Sequence, residues 1–214
     1  MRLNKKTNTL MALFLLIFSS LVATNGCRRH PADSLPPEQT KAVKALEALG
    51  VIVTIRDDEV KLIDFYTAQD IAAGVSQLKP FVELKKINFS STGITNDELS
   101  HLKHLVNLEE LALNNTQVTD AGLEHFAHLG KLQVLNLDDC EVTGAGMVHL
   151  KDMKSLKRLH LNHTKVTDEG FQYLSGLVRL EWLLAFGTQA TPAGADTLRQ
   201  SLPELEIVVS KSEN

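Results

Sequence analysis

From Leu78 onward the chain repeats itself every 24 residues, and no other property restricts its fold so tightly. One apolar column runs Leu78, Leu102, Phe126, Leu150, Leu174, Leu198, and a second runs Leu84, Leu108, Leu132, Leu156, Leu180. Two more are Ile87, Leu111, Leu135, Leu159, Leu183, and then Phe89, Leu113, Leu137, Leu161, Ala185. Within each unit the Leu-x-Leu alternation has period two, which predicts a short strand with its leucines turned to one side. A unit with a single apolar face cannot bury that face alone. A period this short therefore demands stacking, with strands side by side in a parallel sheet and the returning segments packed on one face of it. Leucine supplies 35 of the 214 residues and all aromatics together only 5%, so the shared core is aliphatic.

After each strand a turn carries Thr92, Thr116, Cys140, Thr164 or Thr188. A polar side chain buried there must find a hydrogen bond, which a hydroxyl makes well and a thiol weakly. Cys140 is accordingly read as a core residue rather than a nucleophile. The segment Val-Thr-Asp-x-Gly-Leu then predicts a helix start. Thr119, Thr143, Thr167 and Thr191 stand at the cap position, Asp120 and Asp168 sit on the first turn, and Pro192 occupies N1. In the first of these units Glu98 stands in the glycine column three residues after Thr95, which completes a capping box. Gly122, Gly146, Gly170 and Gly194 are expected to let neighbouring units approach closely.

These motifs resemble the leucine-rich repeat family, and within it the class with Thr or Cys in the turn and a Val/Ile-Thr-Asp-x-Gly-Leu ending. The resemblance covers residues 60 to 205. It implies an α/β solenoid, with a curved parallel sheet on the concave side and helices on the convex side. A leader rather than an F-box precedes the repeats, so the resemblance implies the exported bacterial group.

Residues 1–26 are read as that leader. Arg2, Lys5 and Lys6 precede an apolar run from Leu10 to Ala23, too short for the roughly 20 residues of a spanning helix. Thr24-Asn25-Gly26-Cys27 resembles the lipobox of bacterial lipoproteins, which implies acylation at Cys27. The other reading is a secreted chain with a stray cysteine, and a retained anchor stays open. Residues 27–37 read as a tether and 38–59 as an N-terminal cap, with an amphipathic helix stopped at Gly50 and then a hairpin turning at Asp57-Asp58-Glu59. Residues 60–214 form the repeat domain with a C-terminal cap. There the phase is expected to slip by one at Leu202-Pro203.

A net charge of -4 gives no basic excess for phosphates and argues against nucleic acid. Strand residues between the leucines line the concave face, which is expected to bind a protein partner. Candidates are Glu110, Asp138, Arg158, His160, Asn162, Trp182, Leu184 and Phe186, with Ile207 and Val209 beside the last three. Trp182, Leu184 and Phe186 form either a binding patch or a surface covered by the C-terminal cap or a second copy. A passive envelope lipoprotein that self-associates through this patch is the alternative function. His101, His125 and His149 share one column and His104 and His128 another, but no further ligands accompany them, so no metal or cofactor is expected. The best enzyme constellation, His160 with Asp138 and Asn162, follows the repeat rather than converging on a pocket, so no catalysis is expected.

Overall fold

The computed structural model describes residues 30–209; the expected leader and Cys27 lie outside them. The chain divides into two units, Met1–His30 and Pro31–Asn214, and the second contains the sheet. Each repeat core forms a strand, and the flanking segments add others, giving β1 (Ile52–Arg56), β2 (Glu59–Asp64), β3 (Lys86–Asn88), β4 (Glu110–Ala112), β5 (Val134–Asn136), β6 (Arg158–His160), β7 (Trp182–Ala185) and β8 (Glu206–Val209). They lie in chain order in one sheet. Strands β1 and β2 form an antiparallel hairpin, and every later pair is parallel with partners 24 residues apart, such as Leu111 with Leu135 and Leu135 with Leu159. The inward columns are buried throughout, including Ile87, Leu111, Leu135, Leu159 and Leu183.

The backbone ladder continues past the strands. Phe89 N donates to Ala112 O, Leu113 N to Asn136 O and Leu137 N to His160 O, each at 2.9 Å. A further rung runs from Ser91, Asn115, Asp139 and His163 to the next unit, and these four have φ of 56 to 57°. The left-handed conformation turns the chain away from the sheet in each unit, and the fifth member of the column, Gly187, adopts it without steric cost. The turn hydroxyls behave as expected. Thr116 and Thr164 each donate to the carbonyl three residues back at 2.6 Å, and Cys140 Sγ donates to Leu113 O at 3.1 Å. Burial pushes the Cys140 thiol up, away from the reactive thiolate.

The return segments are shorter than the predicted helices. Single α-helical turns at Asn96–Leu99 and Asp120–Leu123 pass directly into 3₁₀ turns at Ser100–His104 and Glu124–His128. Only the last, Pro192–Ser201, is a full helix, with Thr191 capping Gly194 N at 3.2 Å.

Beyond local capping, the Thr, Asp and Gly columns link one unit to the next. Asp120 reaches into the following unit, where Oδ1 accepts Thr143 N at 2.8 Å and Oδ2 accepts the Thr143 hydroxyl at 2.6 Å. Asp168 does the same for Thr191, at 2.7 and 2.8 Å. Asn96 serves Thr119, accepting from its N–H at 3.0 Å and donating to its hydroxyl at 2.8 Å. The glycine column makes room for these side chains. A Cβ on Gly146 would lie 2.2 Å from Asp120 Oδ1, and one on Gly194 would lie 2.0 Å from Asp168 Oδ1. Where Gly144 replaces the acid, the gap closes until a Cβ on Gly170 would lie 2.7 Å from Gly144 Cα.

The first of these units has Ala72 where a preceding acid would stand. Glu98 supplies the carboxylate instead, accepting Thr95 N at 2.9 Å and the Thr95 hydroxyl at 2.6 Å. The capping box is thus the local substitute for a missing neighbour. These bonds, the hydroxyl of Thr95 first, hold the Glu98 carboxyl below its ordinary value of 4.5. A depressed folded-state value stabilises the fold above the unfolded pKa and ceases to do so as pH falls through the folded one. Glu98→Gln is therefore expected to narrow the difference in Tm between pH 7 and pH 3. An unchanged difference in thermal melts counts against the bond.

The N-terminal end is closed by a cap. The helix Pro37–Ala48 buries Ala42, Val43 and Leu46, and the chain leaves it at Gly50, with φ of 80°. Residues 31–37, expected to be tether, belong to this cap. Pro31–Ser34 is a 3₁₀ turn, Ala32 and Leu35 are buried, and the Thr40 hydroxyl bonds to Ala32 O at 2.7 Å. Downstream the expected phase slip does not occur at the strand. Leu183 pairs with Ile207 and Ala185 with Val209, at the same spacing of 24. The loop at Leu202-Pro203 absorbs the irregularity. Ile207 therefore faces the core at 9% exposure rather than joining the open face.

Candidate functional site

The face of the sheet away from the helices carries three columns of alternate residues. Strand register places Leu62, Lys86, Glu110, Val134, Arg158 and Trp182 in the first, and Asp64, Asn88, Ala112, Asn136, His160 and Leu184 in the second. The third column, Tyr66, Ser90, Asn114, Asp138, Asn162 and Phe186, lies where the strands leave the sheet.

Most polar side chains on this face are already engaged in holding it together. Asp64 Oδ1 accepts Asn88 Nδ2 at 3.0 Å and Tyr66 N at 2.9 Å. Asn136 Oδ1 accepts Asp138 N at 2.9 Å, Asp138 Oδ1 accepts Asn162 N at 2.7 Å, and Asn162 Oδ1 accepts Phe186 N at 2.9 Å. Asp138 and Asn162, two of the residues expected to meet a partner, thus terminate strands and link units. Glu110 is paired with Lys86 one unit earlier, at 2.7 Å. His160 Nδ1 stands 3.8 Å from Asp138 Oδ2. The candidate histidines on the other face are dispersed. His104 Nε2 bonds to Leu78 O at 3.1 Å and His125 Nε2 lies 3.8 Å from Glu124.

The character of the face changes at β7. Trp182 and Leu184 are half-buried, and Phe186 is 53% exposed with its ring edge-on to His163, centroids 5.7 Å apart. Beside them β8 presents Glu206 opposite Trp182 and Val208 opposite Leu184, in place of the expected Ile207 and Val209. Val208 is 40% exposed, so an apolar stripe of Trp182, Leu184, Val208 and Phe186 spans the last two strands. An expected slip in phase hides the outward Val208 in the sequence, and strict counting by 24 finds it.

Parallel strands from 24-residue units, each returned through a short helical turn, define a leucine-rich repeat solenoid. Three consecutive stretches, residues 104–127, 129–150 and 152–175, match the family model for the Leucine Rich repeat. No curated protein matches the chain. Among solved structures, internalin C2 (inlC2) of Listeria monocytogenes is similar with a TM-score of 0.57 and 20% identity, over 89% of this chain and 94% of that one. Internalin inlF of the same organism aligns with a TM-score of 0.49 and 18% identity over 72% of this chain, which spans only 48% of its length. The PEPR1–AtPEP1 structure aligns with a TM-score of 0.51 and 18% identity, over 73% of this chain and 22% of that one. Among the described residues no helix is long and apolar enough to cross a membrane.

Proposed function

We propose that this chain is an exported, non-catalytic binding module that captures a protein partner on the open, concave face of its sheet, centred on Trp182, Leu184 and Phe186. Leucine-rich repeat proteins are generally interaction scaffolds, using the extended surface that stacked units create. One observation carries the reading: the apolar stripe stands at the end of a face whose polar groups are otherwise committed to one another. Exposed aromatic and aliphatic side chains side by side cost solvation unless a partner covers them. Arg158 and His160 flank the stripe and add polar contacts, while Asp138, Asn162 and Glu110 contribute through the scaffold. PEPR1, which shares this fold, was solved together with AtPEP1, and this supports a binding role. The basic and apolar leader and Cys27 support export with acyl attachment to a membrane.

The test is in-cell crosslinking with mass spectrometry on fractionated cells. Phe186→Asp is expected to lower capture of the crosslinked partner at least tenfold, while stability stays within about 0.5 kcal/mol because the side chain is exposed. Capture by the variant at the wild-type level overturns the reading. In the same fractions Cys27→Ser is expected to move from membrane to soluble exported material, and retention in the membrane overturns acylation there. Strand β8, the last of the described sheet, carries Val208 of the stripe on an edge strand and favours one second reading, pairing of two copies. Recovery of only self-crosslinks supports that reading instead.

A further inference from the structure

At the edge where the strands begin lies an open pocket of roughly 230 Å³, lined by Glu109, Lys131, Gln133, Ser155, Lys157 and Arg179. Its charge is one-sided once existing pairs are set aside. Glu109, the one acid in the lining, is neutralised by Lys85 at 2.8 Å, while Lys131 bonds to the neutral Asn107 amide at 2.6 Å and forms no ion pair among the described residues. Neither Lys157 nor Arg179 forms an ion pair among the described residues, although Glu181 stands one unit on from Lys157. In the earlier units Lys85 and Lys86 each pair with a glutamate one unit later, at 2.8 and 2.7 Å, whereas one unit after Arg158 stands Trp182, and the preceding unit offers Gln133 and Val134.

The pocket adjoins the apolar stripe. Lys157 O accepts both Glu181 N and Trp182 N, at 2.8 and 3.0 Å, and Arg158 lies opposite Trp182 in the sheet. We propose that this pocket receives the carboxylates of an acidic segment in the protein partner and delivers the apolar residues beyond them onto Trp182, Leu184 and Phe186. The proposal rests on the open-face binding reading and names the chemistry of its partner. Three cations with amide and hydroxyl donors suit two or three carboxylates, and the Arg179 guanidinium offers the fork that binds one bidentately. The chain's net charge of -4 repels a long polyanion, so a short acidic run within a polypeptide fits better than polyphosphate or nucleic acid.

The test uses the full chain, with hexaglutamate and tripolyphosphate as probes, followed by isothermal titration at low and high salt and by emission of Trp182, the single tryptophan. Hexaglutamate is expected to bind more tightly than tripolyphosphate, with affinity falling at least tenfold in Lys157→Gln and in Arg179→Gln and unchanged in Lys103→Gln. No saturable heat with hexaglutamate, tighter binding of tripolyphosphate, or affinity unaffected by both pocket variants overturns the proposal. The two readings fail separately. Phe186→Asp removes the stripe but leaves hexaglutamate titration intact, so loss of partner capture and loss of carboxylate binding are independent results.

Discussion

Leu159→Ala is expected to destabilise the repeat domain by about 2–5 kcal/mol, the cost of a cavity where a fully buried leucine stood. Leu159 has no exposed surface and lies in β6 between Leu135 and Leu183, so its side chain is shared by the units before and after it. The same truncation at Leu205, 4% exposed and just before the last strand, is expected to cost less. In a solenoid each unit contacts only its neighbours, and a terminal unit has one where a central unit has two. Urea unfolding of both variants measures the difference. Equal costs would contradict a nearest-neighbour account of this domain.

The second large effect is a coupling. Gly146→Ala alone is expected to cost about 1–3 kcal/mol, because the new methyl would lie 2.2 Å from Asp120 Oδ1 and displace a carboxylate that holds two bonds to Thr143. Asp120→Ala alone removes those charge-assisted bonds, at about 1.5–3 kcal/mol each for hydrogen bonds to charged groups. In the double variant the methyl enters space that the carboxylate has vacated. Its total cost is expected to fall about 1–2 kcal/mol short of the sum, the size of coupling found between contacting residues. Strict additivity in the cycle would sink the assignment of the glycine column as the seat of the preceding unit's acid.

That coupling also marks where the sequence stops being legible. Strands, register and the inward leucines follow from a period counted along one chain, because a strand's faces depend only on its own alternation. Even the hairpin cap is readable this way, since Ile63 and Ile87 are in phase and pair as such. Helix capping by Thr119, Thr143 and Thr167 is plausible for the same reason, each unit being read by itself. Asp120 instead finds Thr143, 23 residues away in sequence, and a carboxylate has no way to announce that its partner is in the next unit. The candidate site is legible in part. Trp182, Leu184 and Phe186 stand out as apolar side chains in polar columns, and their strand register follows. The loss of Asp138 and Asn162 to backbone acceptance is not legible, because it depends on which carbonyls and N–H groups the turn leaves unmet. The cationic pocket is hidden by the same spacing. Lys131, Lys157 and Arg179 are too far apart in sequence to read as a basic run, and the net acidity of the chain masks them.

The clamp between units carries a consequence for their interchange. A unit ending in Asp requires a successor with glycine at the third position after its threonine, and a successor bearing Glu98 in that column brings its own carboxylate to the same threonine. Moving the Glu98 unit behind the one that carries Asp120 or Asp168 would force two carboxylates toward one pair of donors, with a side chain where none fits. The array is therefore not a string of equivalent parts. Its units have an order written into complementary surfaces, and a designer shuffling or lengthening it must transplant adjoining halves of two units rather than whole ones.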